Sequence, residues 1–316
     1  MEGREVEYLK SNLGIHSITK KFKHGQVIAN DNISTQFSPG IITALTGHNG
    51  AGKTTLLKQI MGITRPDKGS ITFAGHSFIQ EPAVARNMIS MMPQLHAPLT
   101  GVTLRQSVAA ILRVRGCFGT DLRTELDEVL DNLRISDWAN TPGEKLSGGL
   151  QRLTSFAMTV VSPAPILLFD EPTNDVDPVR RKLIWHYLSK LAKSGHIVIV
   201  VTHNLVEVDQ YADRYLLLDH GHLVRDESTK LVVGNLLDEN ILTITTKHPF
   251  DSRDFPESFK VKSNNDLRYK IFLKHGQIIT AVQWLQQRMD ASEIATYSLA
   301  PNSLDSMYGG LTDGDK

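Results

Sequence analysis

The sequence predicts an α/β fold built around a buried parallel sheet, followed by a small α+β domain. Three short apolar runs, at residues 41–46, 166–169 and 197–201, have the unbroken hydrophobicity of strands covered by helices on both faces. Each run ends in polar residues. Because ligands bind beyond the carboxyl ends of parallel strands, these polar residues predict one functional site.

Helices between these strands are predicted from apolar spacing and from the residues at their ends. After the first run, apolar residues recur at helical intervals until Gly62 and Pro66 end the pattern. Residues 178–194 show the same spacing, with Pro178 suited to the first helical position and Gly195 to the position after the last turn.

The remaining patterns divide the chain into two predicted domains, at residues 1–235 and 236–316. Helices are predicted at residues 103–116, 122–133 and 147–160, within a helical subdomain at about 94–160, and a hairpin at 214–219 and 222–226. The second domain is predicted to contain strands at 240–246, 267–274 and 293–299, and helices at 279–289 and 302–308. Residues 312–316 are expected to fray.

Composition excludes several classes of protein. The 316 residues include 34 Lys plus Arg and 34 Asp plus Glu, so no basic excess is present for nucleic acid, and no nucleic-acid partner is expected. Cys117 is the single cysteine, which excludes an intramolecular disulfide and a cysteine zinc site. No apolar run reaches 18 residues and residues 1–10 do not resemble a signal peptide, so we expect a soluble cytoplasmic protein or the soluble part of a larger one.

The first strand leads into a phosphate-binding sequence, Gly47-x-x-x-x-Gly52-Lys53-Thr54. Its glycines let backbone N–H groups converge on phosphate oxygens at a helix N-terminus. Lys53 adds a positive charge, and the Thr54 hydroxyl is suited to binding Mg²⁺. The alternative is a glycine-rich turn before an ordinary helix, but the strand and helix that flank this loop favour phosphate binding.

The second strand run ends in two acids, Asp170 and Glu171. A carboxylate at this position is typical of a Mg²⁺ ligand in phosphate-loop enzymes, which predicts that role for Asp170. Glu171 is placed to polarise a water for attack on the terminal phosphate. The alternative, a turn or helix cap, becomes the weaker one beside a phosphate loop.

A third motif resembles a known family. Leu146-Ser147-Gly148-Gly149 precedes the second strand by the length of a helix and is similar to the signature of ATP-binding cassette (ABC) ATPases. Gln94, His203, Phe22 and the segment 174–177 match that family's Q-loop, H-loop, adenine-stacking aromatic and D-loop in the expected order. The resemblance covers residues 12–233. It implies a P-loop NTPase fold with a RecA-like parallel-sheet core, an antiparallel β subdomain and a helical signature subdomain.

The resemblance also implies a role for each matching residue. Nucleotide contacts are implied for Phe22, Gly47, His48, Asn49, Gly50, Ala51, Gly52, Lys53, Thr54, Thr55, Gln94, Ser147, Gly148 and Gly149. Mg²⁺ ligands are implied at Thr54, Gln94 and Asp170, and catalytic roles at Glu171, His203 and Lys53. Plainer alternatives are core packing for Phe22, a loop polar group for Gln94, a satisfied strand-end histidine for His203 and an N-cap for Ser147.

The function implied by the resemblance is that of the ATP-hydrolysing subunit of an ABC transporter. ATP would join two cassettes head to tail, and a second copy of this chain is favoured over a different one. Substrate, export being favoured, would move through a separate membrane-spanning permease, with the chain on the cytoplasmic face of the membrane. Residues 299–305 resemble the C-terminal run of bacterial drug, antibiotic and polysaccharide exporter cassettes.

Two alternative functions stay open at this stage. One is a soluble ABC ATPase of translation or DNA repair, and the other is a regulatory cassette that binds ATP with weak hydrolysis. Two departures from the family pattern bear on the second: Leu150 replaces the usual glutamine of the signature, and Asp175 adds a charge in the D-loop.

Overall fold

The computed structural model describes residues 8–95, 100–229, 239–265 and 267–301. It contains two compact units, Met1–Glu227 and Ser228–Lys316. The predicted domain boundary at residue 235 lies outside the described residues. The same is true of the predicted helix at 302–308 and the predicted frayed end at 312–316.

The first unit is built on a six-stranded sheet and a four-stranded sheet. Their orders are β10-β9-β3-β8-β7-β6 and β2-β1-β4-β5. The strands are β1 (Leu13–Phe22), β2 (Val27–Phe37), β3 (Ile42–Thr46), β4 (Lys68–Phe73), β5 (His76–Ser77), β6 (Ile89–Met92), β7 (Ile166–Asp170), β8 (Ile197–Val201), β9 (Arg214–Asp219) and β10 (His222–Ser228). The helices are α1 (Lys53–Ile60), α2 (Pro82–Asn87), α3 (Leu104–Val114), α4 (Gly119–Asn132), α5 (Gly148–Val160), α6 (Pro178–Lys193) and α7 (Leu205–Tyr211).

Strands β9, β3, β8, β7 and β6 run parallel, which confirms the predicted α/β class. The strands β3, β7 and β8, which these three predicted runs form, are fully buried, as expected for strands covered on both faces. The register pairs Asp170 with Val201, and Leu45 with the same Val201 from the other side. The polar residues after these strands therefore meet at one edge of the sheet.

The smaller sheet is antiparallel and supplies the subdomain that the family resemblance implied. One buried cluster joins its apolar face to the large sheet and to α1. Ile15 and Ile71 contribute from the small sheet, Leu56 from α1, and Ile166 and Ile199 from the large sheet. This packing fixes α1 against both sheets.

Helices α3, α4 and α5 form the helical part of the first unit. A capping box starts α3, since the Thr103 side chain accepts from Gln106 N and the Gln106 side chain accepts from Thr103 N. Phe156 of α5 is fully buried and lies against Phe169 of β7, with ring centroids 5.4 Å apart. The aromatic contact fixes α5 next to the strand that carries the two acids. None of the described helices is long and apolar enough to cross a membrane.

The second unit is an antiparallel sheet, β12-β13-β11-β14, with one helix. Its elements are β11 (Glu239–Thr246), β12 (Lys260–Asn265), β13 (Arg268–Lys274), α8 (Ile278–Asp290) and β14 (Ile294–Pro301). Ala281, Trp284 and Leu285 of α8 pack into the buried core of this sheet. The predicted strands and helix are all present. Strand β12 is not among them, because its polar sequence has no hydrophobic alternation to reveal it.

Candidate nucleotide-binding site

The phosphate loop lies between β3 and α1, and its two end glycines are required by close packing. Gly47 and Gly52 both have positive φ, at 147° and 104°. A Cβ on Gly47 would lie 2.3 Å from the Leu218 carbonyl oxygen, and one on Gly52 would lie 2.1 Å from that of Ala29. The loop is therefore confined between β9 and β2. The loop ends at the start of α1, where the N–H groups of the first helical turn have no partner within the helix.

Lys53 folds back over this loop. Its Nζ donates to the carbonyl oxygens of Gly47 at 2.6 Å and of His48 at 3.0 Å. Burial lowers the pKa of Lys53, while the negative charges of Glu171 and Asp170 act in the opposite direction. The ammonium group is thus held at the loop, near Asp170 and Glu171 at the end of β7.

The two acids at the end of β7 are both buried. Burial and the adjacent charge of Glu171 raise the pKa of Asp170, opposed by the charges of Arg152 and Lys53. Glu171 adopts a left-handed backbone conformation, with φ of 53°, which is uncommon for a residue with a side chain. Its Oε1 lies 2.7 Å from Nδ1 of His203, and its buried Oε2 has no hydrogen-bond partner among the described residues. His203 itself is exposed.

One cleft of about 340 Å³ brings most of the predicted site together. Its lining includes Phe22, Asn49, Gly50, Gly52, Lys53, Thr54, Thr55, Gln94, Asp170 and Glu171. Phe22 lies at the rim with 42% of its surface exposed, so the core-packing alternative for this residue is wrong. The cleft therefore joins an open aromatic face, a phosphate loop and a pair of carboxylates.

The donor set in this cleft fits Mg²⁺. Thr54, Gln94 and Asp170 offer hydroxyl, amide and carboxylate oxygens, which are the ligands this hard cation prefers. The raised pKa of Asp170 and the unpaired buried Oε2 of Glu171 both indicate negative charge that a nearby cation would stabilise.

The signature residues do not line this cleft. Ser147 and Gly148 are exposed at the N-terminal end of α5, where the Ser147 Oγ accepts from Leu150 N at 3.4 Å. Ser147 is thus an N-cap, as one alternative proposed, and its exposure leaves the end of the helix open to a ligand. Leu150 is buried and faces the protein interior, so the signature departure lies away from that surface. Asp175, the second departure, is exposed with φ of 60°.

Comparison with known proteins decides the family. Residues 30–174 match the family described as "ABC transporter". The chain contains an ABC transporter ATP-binding domain. This confirms the resemblance drawn from the signature. The phosphate loop, the acid pair and the signature helix all lie within the matched residues.

Named relatives and solved structures agree with this membership. The Nod factor export ATP-binding protein I of Sinorhizobium fredii is 31% identical over 235 residues, covering 73% of this chain and 66% of the relative. Human ATP-binding cassette sub-family A member 2 is 26% identical over 306 residues, which are 93% of this chain and 13% of the relative. The chain thus spans less than two thirds of either relative.

The fold is that of solved ABC cassettes. The dimeric structure of MJ0796, a bacterial ABC transporter cassette, superposes with a TM-score of 0.61 at 26% identity. The match covers 69% of this chain and 98% of the cassette. The predicted P-loop NTPase fold is therefore confirmed.

Sequence reasoning missed Arg152, which lies under the site. This buried residue of α5 donates from its guanidinium to four backbone carbonyl oxygens, those of Pro93, Gln94, Asp170 and Glu171. It therefore joins the Q-loop to the end of β7. Arg152 is the single basic residue of α5. The signal that distinguishes Arg152 is its place on the buried side of α5.

Glu207 of α7 is a second residue that sequence reasoning missed. Its buried carboxylate accepts from Thr173 Oγ1 at 2.7 Å and from Trp185 Nε1 at 2.9 Å. Arg181 of α6 adds a longer contact of 3.5 Å. These bonds tie the segment after the acid pair to α6 and to the helix that follows His203.

Arg152→Leu is expected to loosen both segments that the guanidinium joins, because four carbonyl oxygens lose a buried donor. Hydrogen–deuterium exchange should become faster at residues 89–95 and 170–173, and stay unchanged at residues 241–246 of the second unit. Arg123→Leu, on the exposed face of α4, is the matched control and should leave exchange as in the wild type. Equal exchange in Arg152→Leu and the wild type would contradict this role.

Proposed function

We propose that this chain is the ATP-hydrolysing subunit of an ABC transporter that drives export through a separate membrane-spanning partner. The observation that supports this most is the single cleft that holds the phosphate loop, Gln94 and the acid pair. The domain's relatives include a protein named for Nod factor export, which favours export. The chain would act on the cytoplasmic face of the membrane.

Nucleotide would lie along the cleft from Phe22 to the acid pair. The adenine ring would stack on the exposed face of Phe22, whose flat apolar surface is open to solvent. The phosphates would lie over the N-terminal end of α1, where free N–H groups and the positive end of the helix dipole meet. Lys53 would exchange its bonds to loop carbonyls for bonds to the phosphates.

Hydrolysis would depend on Glu171. Its buried, unpaired Oε2 is available to accept a proton from an attacking water, and the His203 contact fixes the orientation of the carboxylate. Thr54, Gln94 and Asp170 would hold Mg²⁺, which neutralises charge developing on the transferred phosphate. The exposed His203, held at Nδ1 by the Glu171 contact, would use its other ring nitrogen to contact the terminal phosphate.

A single chain would hold only half of each ATP site. Ser147, Gly148 and Gly149 lie outside the cleft, with the end of α5 exposed to solvent. A second copy placed head to tail would bring this helix end onto the phosphates bound by the first. Each chain carries a cleft and a signature end of α5, so two copies of this chain would complete both ATP sites, which favours a homodimer. The MJ0796 cassette is described as dimeric, which agrees with this arrangement.

The membrane-spanning partner would dock at a groove of about 540 Å³ beside the Q-loop. Its walls come from the β6 region, α3 and α5, and include Pro93, Val114, Gln151, Ser155 and Met158. Val114 is 83% exposed although it is apolar. Because α5 lines this groove and also carries the signature at its N-terminal end, a helix of the partner seated here would move together with the ATP site.

Glu171→Gln should bind MgATP with near wild-type affinity and lower turnover by about 10²- to 10⁴-fold, because the amide cannot accept the proton of the attacking water. Lys53→Ala should instead lose MgATP binding. Steady-state phosphate release and isothermal titration calorimetry measure the two effects. Glu128→Gln and Lys58→Ala, both exposed, are the matched controls. Near wild-type turnover in Glu171→Gln would rule out the assigned base.

Ser155→Arg should fill the groove with a charged side chain and stop association with the membrane-spanning partner, while ATP turnover of the isolated chain stays unchanged. Co-purification from detergent-solubilised membranes measures association. Thr124→Arg, on the exposed face of α4, is the control and should co-purify normally. Equal co-purification of both variants would show that the partner docks elsewhere.

A further inference from the structure

Three metal-binding side chains meet on the outer side of the phosphate loop. His48 comes from the loop itself, Asp219 is the last residue of β9, and His220 lies in the turn between β9 and β10. The ligand atoms of the three residues all lie within 4.8 Å of one another. Nε2 of His48 is 3.0 Å from Oδ1 of Asp219, and Nε2 of His220 is 3.9 Å from the same oxygen.

The hydrogen bond at Nδ1 of His48 determines whether Nε2, the nitrogen that faces this cluster, carries a hydrogen or a lone pair. Nδ1 of His48 lies 2.8 Å from the carbonyl oxygen of Asn49. A carbonyl oxygen only accepts, so Nδ1 carries the hydrogen and Nε2 of the neutral ring carries a lone pair. Metal-binding histidines are oriented in this same way, with the second nitrogen donating to a carbonyl.

The facing atoms of His48 and Asp219 therefore both carry lone pairs. Nε2 of His48 is buried and hydrogen-bonds to none of the described residues, although Oδ1 of Asp219 is only 3.0 Å away. Two such atoms at this distance repel each other unless a cation lies between them. That cation is either a proton on His48 or a metal ion.

The position of His220 favours a metal ion over a proton. Its ring packs against that of His48, with centroids 4.7 Å apart, and directs a second imidazole towards the same carboxylate oxygen. Two groups are enough to share a proton, whereas a metal ion is bound more tightly when a third ligand is present. Tetrahedral Zn²⁺ with ligand bonds of about 2.0–2.2 Å places its ligand atoms about 3.3 Å apart, and the distances of 3.0 and 3.9 Å lie on either side of this value.

We propose that His48, Asp219 and His220 form a binding site for a transition-metal ion of the zinc class. Two imidazoles and one carboxylate suit Zn²⁺, and the exposure of Asp219 and His220 leaves a fourth position for water. This site differs from the Mg²⁺ site in the cleft, whose donors are all oxygens. Asp219 and His220 do not line that cleft.

The zinc ion would reinforce a contact that the backbone already makes. Gly221 N, in the same turn, donates to the Ala51 carbonyl oxygen at 3.1 Å. The Leu218 carbonyl oxygen occupies the space that a Cβ of Gly47 would need. The end of β9 and the turn therefore contact the phosphate loop at Gly47 and at Ala51, and the ion would add a third link at His48.

The test is metal binding by the full chain after removal of bound metal with a chelator. We expect one Zn²⁺ per chain by isothermal titration calorimetry, and a tetrahedral visible absorption band with Co²⁺. His220→Ala should weaken Zn²⁺ binding by roughly tenfold or more and remove the Co²⁺ band. His222→Ala, two residues further along the same hairpin and 60% exposed at its side chain, is the matched control and should bind as the wild type does.

Asp219→Asn provides a second variant of almost unchanged size, and it should weaken Zn²⁺ binding like His220→Ala. Circular dichroism confirms that each variant is folded. Equal Zn²⁺ affinity in the wild type, His220→Ala and Asp219→Asn would overturn the proposal. Absence of a Co²⁺ band in the wild type would also overturn it, and would leave a protonated His48 as the cation that faces Asp219.

Discussion

Two neighbouring carboxylates at the end of a buried strand are the constraint on which the rest of this cassette depends. Asp170 and Glu171 are both buried, and burial together with the charge of Glu171 raises the pKa of Asp170. Lys53 faces them from the phosphate loop, and the Arg152 guanidinium donates hydrogen bonds to their backbone carbonyl oxygens. Burial lowers the pKa of both cations, so neither is a surface charge. A site with this arrangement is prepared for a cation and a phosphate chain.

The fold explains how these groups meet and why the site stays open on one side. Parallel pairing of β3, β8 and β7 places the phosphate loop, His203 and the acid pair at one edge of the sheet. Helix α5 crosses beneath them. Its buried side carries Arg152 and its exposed N-terminal end carries Ser147. One helix thus contacts the acids of its own site and leaves its N-terminal end exposed, which is the end that the proposed second chain would use to cover the phosphates.

The sequence predicted the parts of the site that are formed by residues close together in the chain. The phosphate loop, the acid pair and the ends of the buried strands are written in consecutive residues, and the cleft brings them together. Arg152 and Glu207 were missed because their partners are backbone carbonyls or side chains distant in sequence. The His48, Asp219 and His220 cluster was missed for the same reason, since 170 residues separate the loop from the turn. Strand β12 was missed because it is polar and is positioned only by pairing with β13.

Sedimentation velocity of Glu171→Gln in the presence of MgATP tests whether each chain holds half of a shared ATP site. We expect a dimer in ATP and a monomer in ADP, because the terminal phosphate would supply the contacts that favour closure. Ser147→Arg should remain a monomer in ATP, since its side chain would block the exposed end of α5. A Glu171→Gln protein that binds ATP and sediments as a monomer at all concentrations would contradict the shared site.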